Sequence, residues 1–262
     1  MLQWLPENVS TFGSTIDSLF YLIYVITGVI FLLVSITMIA FLVLYRRREG
    51  VRAGYTHGSQ TLEIVWTVVP AIILVVLTVL SARGWRDIKM RQPPADVLVK
   101  VIGKQFNWRM IYPGPDGAFG GADDLELANE LHVPVDRNVV VELESEDVIH
   151  SFFLPHLRVK QDALPGRTIL VWFNAMRAGR YEIACAELCG FGHYNMRGWL
   201  TVHSPEEYAA WVAQSWPPAG AEPAVSVAPG GAAVGSVAAA AGPGAPAAGP
   251  GELPSGASGG AR

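Results

Sequence analysis

The chain has 262 residues, a formal net charge of −4, 51% hydrophobic residues and only 16% charged ones. So mild an acidic balance excludes a protein that grips nucleic acid through a basic surface, and the length allows one or two domains with a real core. The hydrophobic excess lies mostly before residue 83, so the chain reads as a membrane anchor followed by a more polar part.

In chain order, residues 1–17 form an external amino-terminal segment holding Glu7 and Asp17 but no Lys or Arg. Residues 18–91 read as a transmembrane hairpin with spans at about 19–45 and 62–82. Leu19 to Tyr45 carries no charged side chain and exceeds the roughly 20 helical residues that cross a bilayer core. It lacks the basic start and short apolar stretch of a cleaved signal, so it is expected to remain as an anchor. Leu62 to Ala82 is interrupted only by Glu63 near its start and contains Pro70, which membrane helices tolerate. Arg46, Arg47, Arg48 and Arg52 lie between the spans. The positive-inside rule puts that connector in the cytoplasm and both termini outside, although Arg83, Arg86, Lys89 and Arg91 count the other way. Glu63, an ionisable group at the inner end of a span, is either a functional carboxylate or a first-turn partner of the helix dipole.

Residues 92–216 change character. Short β-like runs at 97–102, 138–143, 168–173, 180–184 and 197–202 are separated by turn signals such as Pro113-Gly114-Pro115-Asp116-Gly117 and Leu164-Pro165-Gly166. That pattern predicts an all-β sandwich or Greek-key barrel. A last helix is expected from Ser204 to about Gln214, with Ser204 as cap, Pro205 in the first turn and Glu206 and Glu207 facing the dipole. Residues 217–262 are almost pure Ala, Gly, Pro, Ser and Val and are expected to be disordered.

The only two cysteines sit in Cys185-Ala186-Glu187-Leu188-Cys189-Gly190-Phe191-Gly192-His193-Tyr194-Asn195-Met196. On their own they fit a disulfide as well as a metal site. His193 and Met196 on the same loop shift the balance, because a disulfide needs neither and zinc has little use for a thioether. Soft sulfur with imidazole selects copper, and two thiolates can each bridge a pair of copper ions. Such a pair needs a second imidazole. Of the other histidines (His57, His132, His150, His156 and His203), His57 falls in the cytoplasmic connector; His150, before the apolar Ser151-Phe152-Phe153-Leu154-Pro155, suits a buried ligand, with His156 as its rival. Acidic residues on the head (Asp123, Asp124, Glu126, Glu130, Glu146, Asp147) either steer a basic donor or form a solvated face.

Three segments carry a resemblance: Glu146-Asp147-Val148-Ile149-His150-Ser151-Phe152, Asp162-Ala163-Leu164-Pro165-Gly166-Arg167, and the Cys185–Met196 loop. Together with the two-helix anchor, they make residues 15–215 resemble subunit II of haem–copper cytochrome c oxidases. The resemblance implies a cupredoxin-like head with a dinuclear copper centre of the CuA type. Cys185 and Cys189 would bridge the metals, His150 and His193 would bind one each, and Met196 and the Glu187 carbonyl would be weak ligands. The Glu187 side chain would reach a magnesium ion shared with subunit I, and Glu63 would stand at the mouth of a proton pathway. Gln105-Phe106-Asn107-Trp108 matches the family's electron-input stretch with Phe106 in place of the expected tryptophan, and Trp108 follows it. The implied activity is electron transfer from a cytochrome c-type donor to haem in subunit I, where oxygen becomes water with proton translocation. Subunits I and III, the donor and the lipid bilayer are the implied partners, and no nucleic acid is among them. The implied setting is a bacterial cell membrane with the copper domain on the outer, periplasmic side. With no Cys-x-x-Cys-His run, no haem is expected on this chain. The competing reading is a membrane-anchored copper-binding or delivery module without oxidase activity.

Overall fold

The computed structural model describes residues 4–52 and 54–216; the tail expected to be disordered, 217–262, and the first three residues lie outside them. Helix α1 runs Gly13–Leu44 and α2 runs Gln60–Trp85, both somewhat longer than the apolar runs alone. Ser59 caps α2, its hydroxyl accepting from the Leu62 amide, and Pro70 is accommodated inside the helix. Most of the leucine, isoleucine, valine and phenylalanine side chains of both helices are exposed. A surface this apolar is stable only against lipid or other membrane helices.

Beyond a wide turn at Arg86–Met90, ten strands among the described residues form two five-stranded sheets. They are β1 (Val97–Lys104), β2 (Asn107–Tyr112), β3 (Leu125–Ala128), β4 (Glu130–Pro134), β5 (Asn138–Ser145), β6 (His150–Leu154), β7 (Val159–Ala163), β8 (Ile169–Asn174), β9 (Gly179–Cys185) and β10 (Arg197–His203). One sheet has the order β3-β2-β1-β5-β8, the other β4-β10-β9-β6-β7. The parallel pairs β1–β5 and β4–β10 give the crossed connectivity of a Greek-key sandwich, the cupredoxin-like head that the resemblance implied. Alternate residues point inward: Val99, Val101, Val141 and Phe173 from one sheet meet Leu131, Phe152, Ile183 and Leu200 from the other, all buried. Each such side chain stabilises the head by about 1.5–3 kcal/mol on burial.

The segment before α1 belongs to the head. The Val9 amide donates to the His156 carbonyl at 2.9 Å, the Met176 amide donates to the Val9 carbonyl at 2.8 Å, and Ser10 bridges Ala175. Arg158 then ties head to hairpin, its guanidinium pairing with Asp17 at 2.6 Å and donating to the Pro6 carbonyl at 2.6 Å. The amino-terminal segment and the head therefore sit at the same end of the hairpin.

Helix α3 (Pro205–Ser215) starts with a capping box between Ser204 and Glu207. Its Trp211 stacks on His132 of β4 with ring centroids 4.9 Å apart, and His132 Nδ1 lies 2.8 Å from His203 Nε2. Burial, then His203 and Arg180, push His132 down to about 4, while burial lowers His203 against the opposing charge of Glu207. Since the folded state holds these rings neutral, the unfolded chain binds more protons below the ordinary histidine range. Their contribution is complete above about pH 6.5 and disappears as pH falls through about 4. Acidification should cost about 1 kcal/mol at this solvent-accessible pair. Melting temperatures measured from about pH 7 to about pH 4.5 should fall less steeply for His132→Gln than for the parent chain, and identical slopes would refute the assignment.

Candidate metal centre

β6 and β9 pair antiparallel with Phe152 opposite Cys185. His150, two residues before Phe152 and so on the same face of the strand, comes to lie over the loop that leaves β9. Its Nδ1 is 3.9 Å from Cys185 Sγ, and His150 Nδ1 and both cysteine sulfurs lie within 4.8 Å of one another. The sulfurs are 3.9 Å apart, whereas a disulfide requires about 2.05 Å; both cysteines are free.

The remaining donors divide between the two sulfurs. The Glu187 carbonyl is 3.3 Å from Cys185 Sγ, while His193 Nδ1 and Met196 Sδ lie 3.6 and 3.7 Å from Cys189 Sγ. One imidazole and one weak donor therefore accompany each sulfur. His156 is elsewhere, against Tyr181 with its Nδ1 buried and unpartnered; of the two rival imidazoles, only His150 faces the loop.

The surrounding residues fix these donors. Asp147 accepts from His150 Nε2 at 2.8 Å, the Gln105 amide at 2.8 Å and the Val148 amide at 2.6 Å. Burial works to raise the Asp147 pKa, yet these hydrogen bonds hold it below the usual carboxylate range. With Nε2–H donated to Asp147, the Nδ1 lone pair faces the sulfurs. Gly103 supports the other side of the ring, where an added Cβ would lie 2.8 Å from His150 Cδ2. Trp108 packs edge-on against His150 and Phe152. Gln105 Nε2 donates to the Cys189 carbonyl at 2.5 Å, and Phe106 lies so close over Gly192 that a Cβ there would come within 2.4 Å of its ring.

Exposure separates the two aromatic residues expected at electron input: Phe106 is 37% exposed and Trp108 is 0%. Only Phe106 can touch another protein directly. Glu187 and the first-turn Glu63 are also exposed, Glu63 at the end of α2 remote from the head. Four of the six acidic residues are engaged by partners. Arg109 pairs with Glu126 and Glu146, Lys104 with Glu146, Arg180 with Glu130, and Asp147 is turned toward His150.

The donor set fits copper. Two sulfurs, two imidazoles and a thioether meet in a site with His150, Cys185, Cys189 and Met196 at most 9% exposed, and soft donors of this kind select copper over hard cations. Burial, with Cys185 next to it, pushes the Cys189 thiol up, so loading the site must expel protons. Fold and site together define a membrane-anchored, cupredoxin-like copper protein.

Comparison with known proteins narrows this class. The family profile for the periplasmic domain of cytochrome c oxidase subunit II matches residues 97–201, and the profile for its transmembrane domain matches residues 2–83. A cytochrome c oxidase subunit 2 from Synechocystis sp. is 30% identical over 81% of this chain and 76% of its own. One from Cereibacter sphaeroides is 37% identical over 65% of this chain and 66% of its own. Among solved structures, the periplasmic domain of subunit II of the cytochrome oxidase of Bradyrhizobium japonicum aligns at TM-score 0.43 with 35% identity, over 48% of this chain and 96% of that one. The chain belongs to the cytochrome c oxidase subunit II family. Membership brings a copper centre, other oxidase subunits and a redox partner.

Proposed function

We propose that this chain accepts electrons for a proton-translocating haem–copper terminal oxidase, taking them from a cytochrome c-type donor and passing them to haem in subunit I, where oxygen is reduced to water. The observation that carries the reading is the pair of matched half-sites joined at one sulfur–sulfur edge. On this reading Cys185, Cys189, His150 and His193 would hold a pair of copper ions, and Met196 and the Glu187 carbonyl would be weak donors. Bound copper would supply one-electron redox chemistry there. The protein contributes rigidity: Asp147 and Gly103 hold the His150 ring, Gln105 pins the loop, and burial keeps water from the sulfurs. A fixed, dry environment that reorganises little suits a relay.

A delivery module needs exposed ligands that exchange quickly, and the near-complete burial of four ligands argues against it. Phe106 is the aromatic surface over the ligand loop through which electrons would enter. The exposed Glu187 carboxylate is free to hold a magnesium ion shared with subunit I, and Glu63 remains the candidate proton entrance. On this reading the head and both termini would lie on the outer, periplasmic side of a bacterial cell membrane, and subunit III would be a further partner. Packing of residues 7–10 on the head and the arginine-rich connector at the opposite end support that topology.

Metal analysis of the full chain loaded with copper tests the reading. Two copper ions per chain should be found, with electron-spin hyperfine structure from two equivalent copper nuclei and slow removal by a chelator. A single copper ion, or rapid stripping, would favour the delivery module.

A further inference from the structure

A groove opens where the head meets the hairpin. Its upper part is a cavity of about 290 Å³ walled by Leu19 of α1, Trp85 of α2 and Trp172 of β8, with Lys89 and Lys160 among its lining. A second hollow of about 500 Å³ shares Leu19 and Gly84 with it and extends between the helices to Leu22 and Leu80. The space beside Gly84 is open: a Cβ there would find no atom nearer than 3.8 Å.

The charges around this groove are unequal. Lys89 donates only to the neutral Gln161 side chain, at 2.7 Å, and neither Lys89 nor Lys160 has a carboxylate partner among the described residues. Arg158 is already committed to Asp17 and to backbone carbonyls. The lower part is lined by Arg83 and by one carboxylate, Asp87, which is engaged by Arg91 at 3.2 Å and Arg86 at 3.8 Å. Trp85 is exposed at the end of α2, and Trp172 Nε1 donates to the Ile88 carbonyl at 2.6 Å. Tryptophans in such positions mark the headgroup level of a bilayer.

We infer that this groove binds one anionic phospholipid from the head-side leaflet, its phosphate between Lys89 and Lys160 and one acyl chain running past Gly84 between the helices. Two ammonium groups without carboxylate partners among the described residues sit above a channel whose inner part is lined by Leu19, Leu22 and Leu80, matching the polarity of such a lipid from head to tail. The groove lies at the head-side end of α1 and α2, whose exposed apolar surfaces face lipid or other membrane helices, and its two lysines favour an anionic headgroup over an apolar side chain. A lipid bound there touches α1, α2, β7 and β8 at once and so fixes the head on its anchor.

The test uses the full chain in nanodiscs of phosphatidylcholine mixed with phosphatidylglycerol, followed by gentle release and native mass spectrometry. One phosphatidylglycerol per chain should be retained, with about tenfold preference over phosphatidylcholine, because each lysine near the headgroups strengthens anion attraction substantially. Joint replacement Lys89→Gln and Lys160→Gln should abolish the preference, Lys89→Arg with Lys160→Arg should keep it, and Gly84→Leu should reduce retention of both lipids. Circular dichroism and copper content serve as controls for folding, and the preference of the unaltered chain does not depend on any variant. Equal retention of the two lipids by the unaltered chain would overturn the inference. So would a preference that survives loss of both lysines in a folded chain, or a photo-crosslinker at Leu19 that captures subunit I in the assembled oxidase and no lipid.

Discussion

Cys185→Ser should leave a folded chain that holds at most one copper ion and an assembled oxidase that no longer oxidises its donor. The serine hydroxyl nearly matches the thiol in volume, so the end of β9 keeps its packing. What disappears is the sulfur within 3.9 Å of both His150 Nδ1 and Cys189 Sγ. Loss of a hydrogen-bonded support to a ligand costs about 10–100-fold in metal affinity, and loss of a bridging ligand should exceed that. Cys189→Ser removes the other half of the shared edge and should be equally damaging, since His193 and Met196 both converge on that sulfur. Metal analysis and donor-oxidation rates decide the matter. Parent-like copper content in either variant would mean that the sulfurs are not shared.

Asp147→Ala is expected to have the second-largest effect, although no metal is assigned to that carboxylate. It removes the acceptor of three donors at once: the Gln105 amide, the Val148 amide and His150 Nε2. Unpaired amides and a released imidazole should cost about 1–3 kcal/mol of stability. With its orientation no longer held, His150 should bind copper about 10–100-fold more weakly. Asp147→Asn keeps an acceptor oxygen without the charge and should fall between the two. Competition with a chelator measures affinity, and thermal unfolding of the metal-free chain measures stability separately. A stability loss without any change in affinity would confine Asp147 to holding the backbone.

The neutralised acidic residues also bear on donor binding. With Glu126, Glu130 and Glu146 paired to arginine or lysine, much of the head's acidic charge is locally neutralised, and Glu187 is the exposed carboxylate on the loop that Phe106 covers. Long-range steering of a basic donor is correspondingly weaker than a count of acidic residues in the sequence suggests.

Much of the architecture is legible in the sequence because its signals are local. The uncharged run before Tyr45, the valine-rich stretches that became β1 and β5, and the Ser204–Glu207 cap of α3 each carry their own pattern. β2, β4, β6 and β7 are harder to see. Their outward residues are mixed and the strands are short, so Trp108, Met110 and Tyr112 of β2 reveal their alternation only against the opposite sheet. The cysteine loop could be read directly, because four donors within one short segment need no fold to bring them together. The second imidazole could not be chosen that way: His150 and His156 are almost equidistant in sequence, and only the β6–β9 register puts one beside Cys185 and the other against Tyr181. The sequence by itself determined the anchor, the β character of the head and the soft-metal chemistry, which depend on composition and short spacing. Tertiary structure alone decided the sharing of donors between two sulfurs, the role of Asp147, the burial of Trp108 against His150 and the cationic groove under the head. Each of these depends on strands or helices distant in sequence meeting at a particular register.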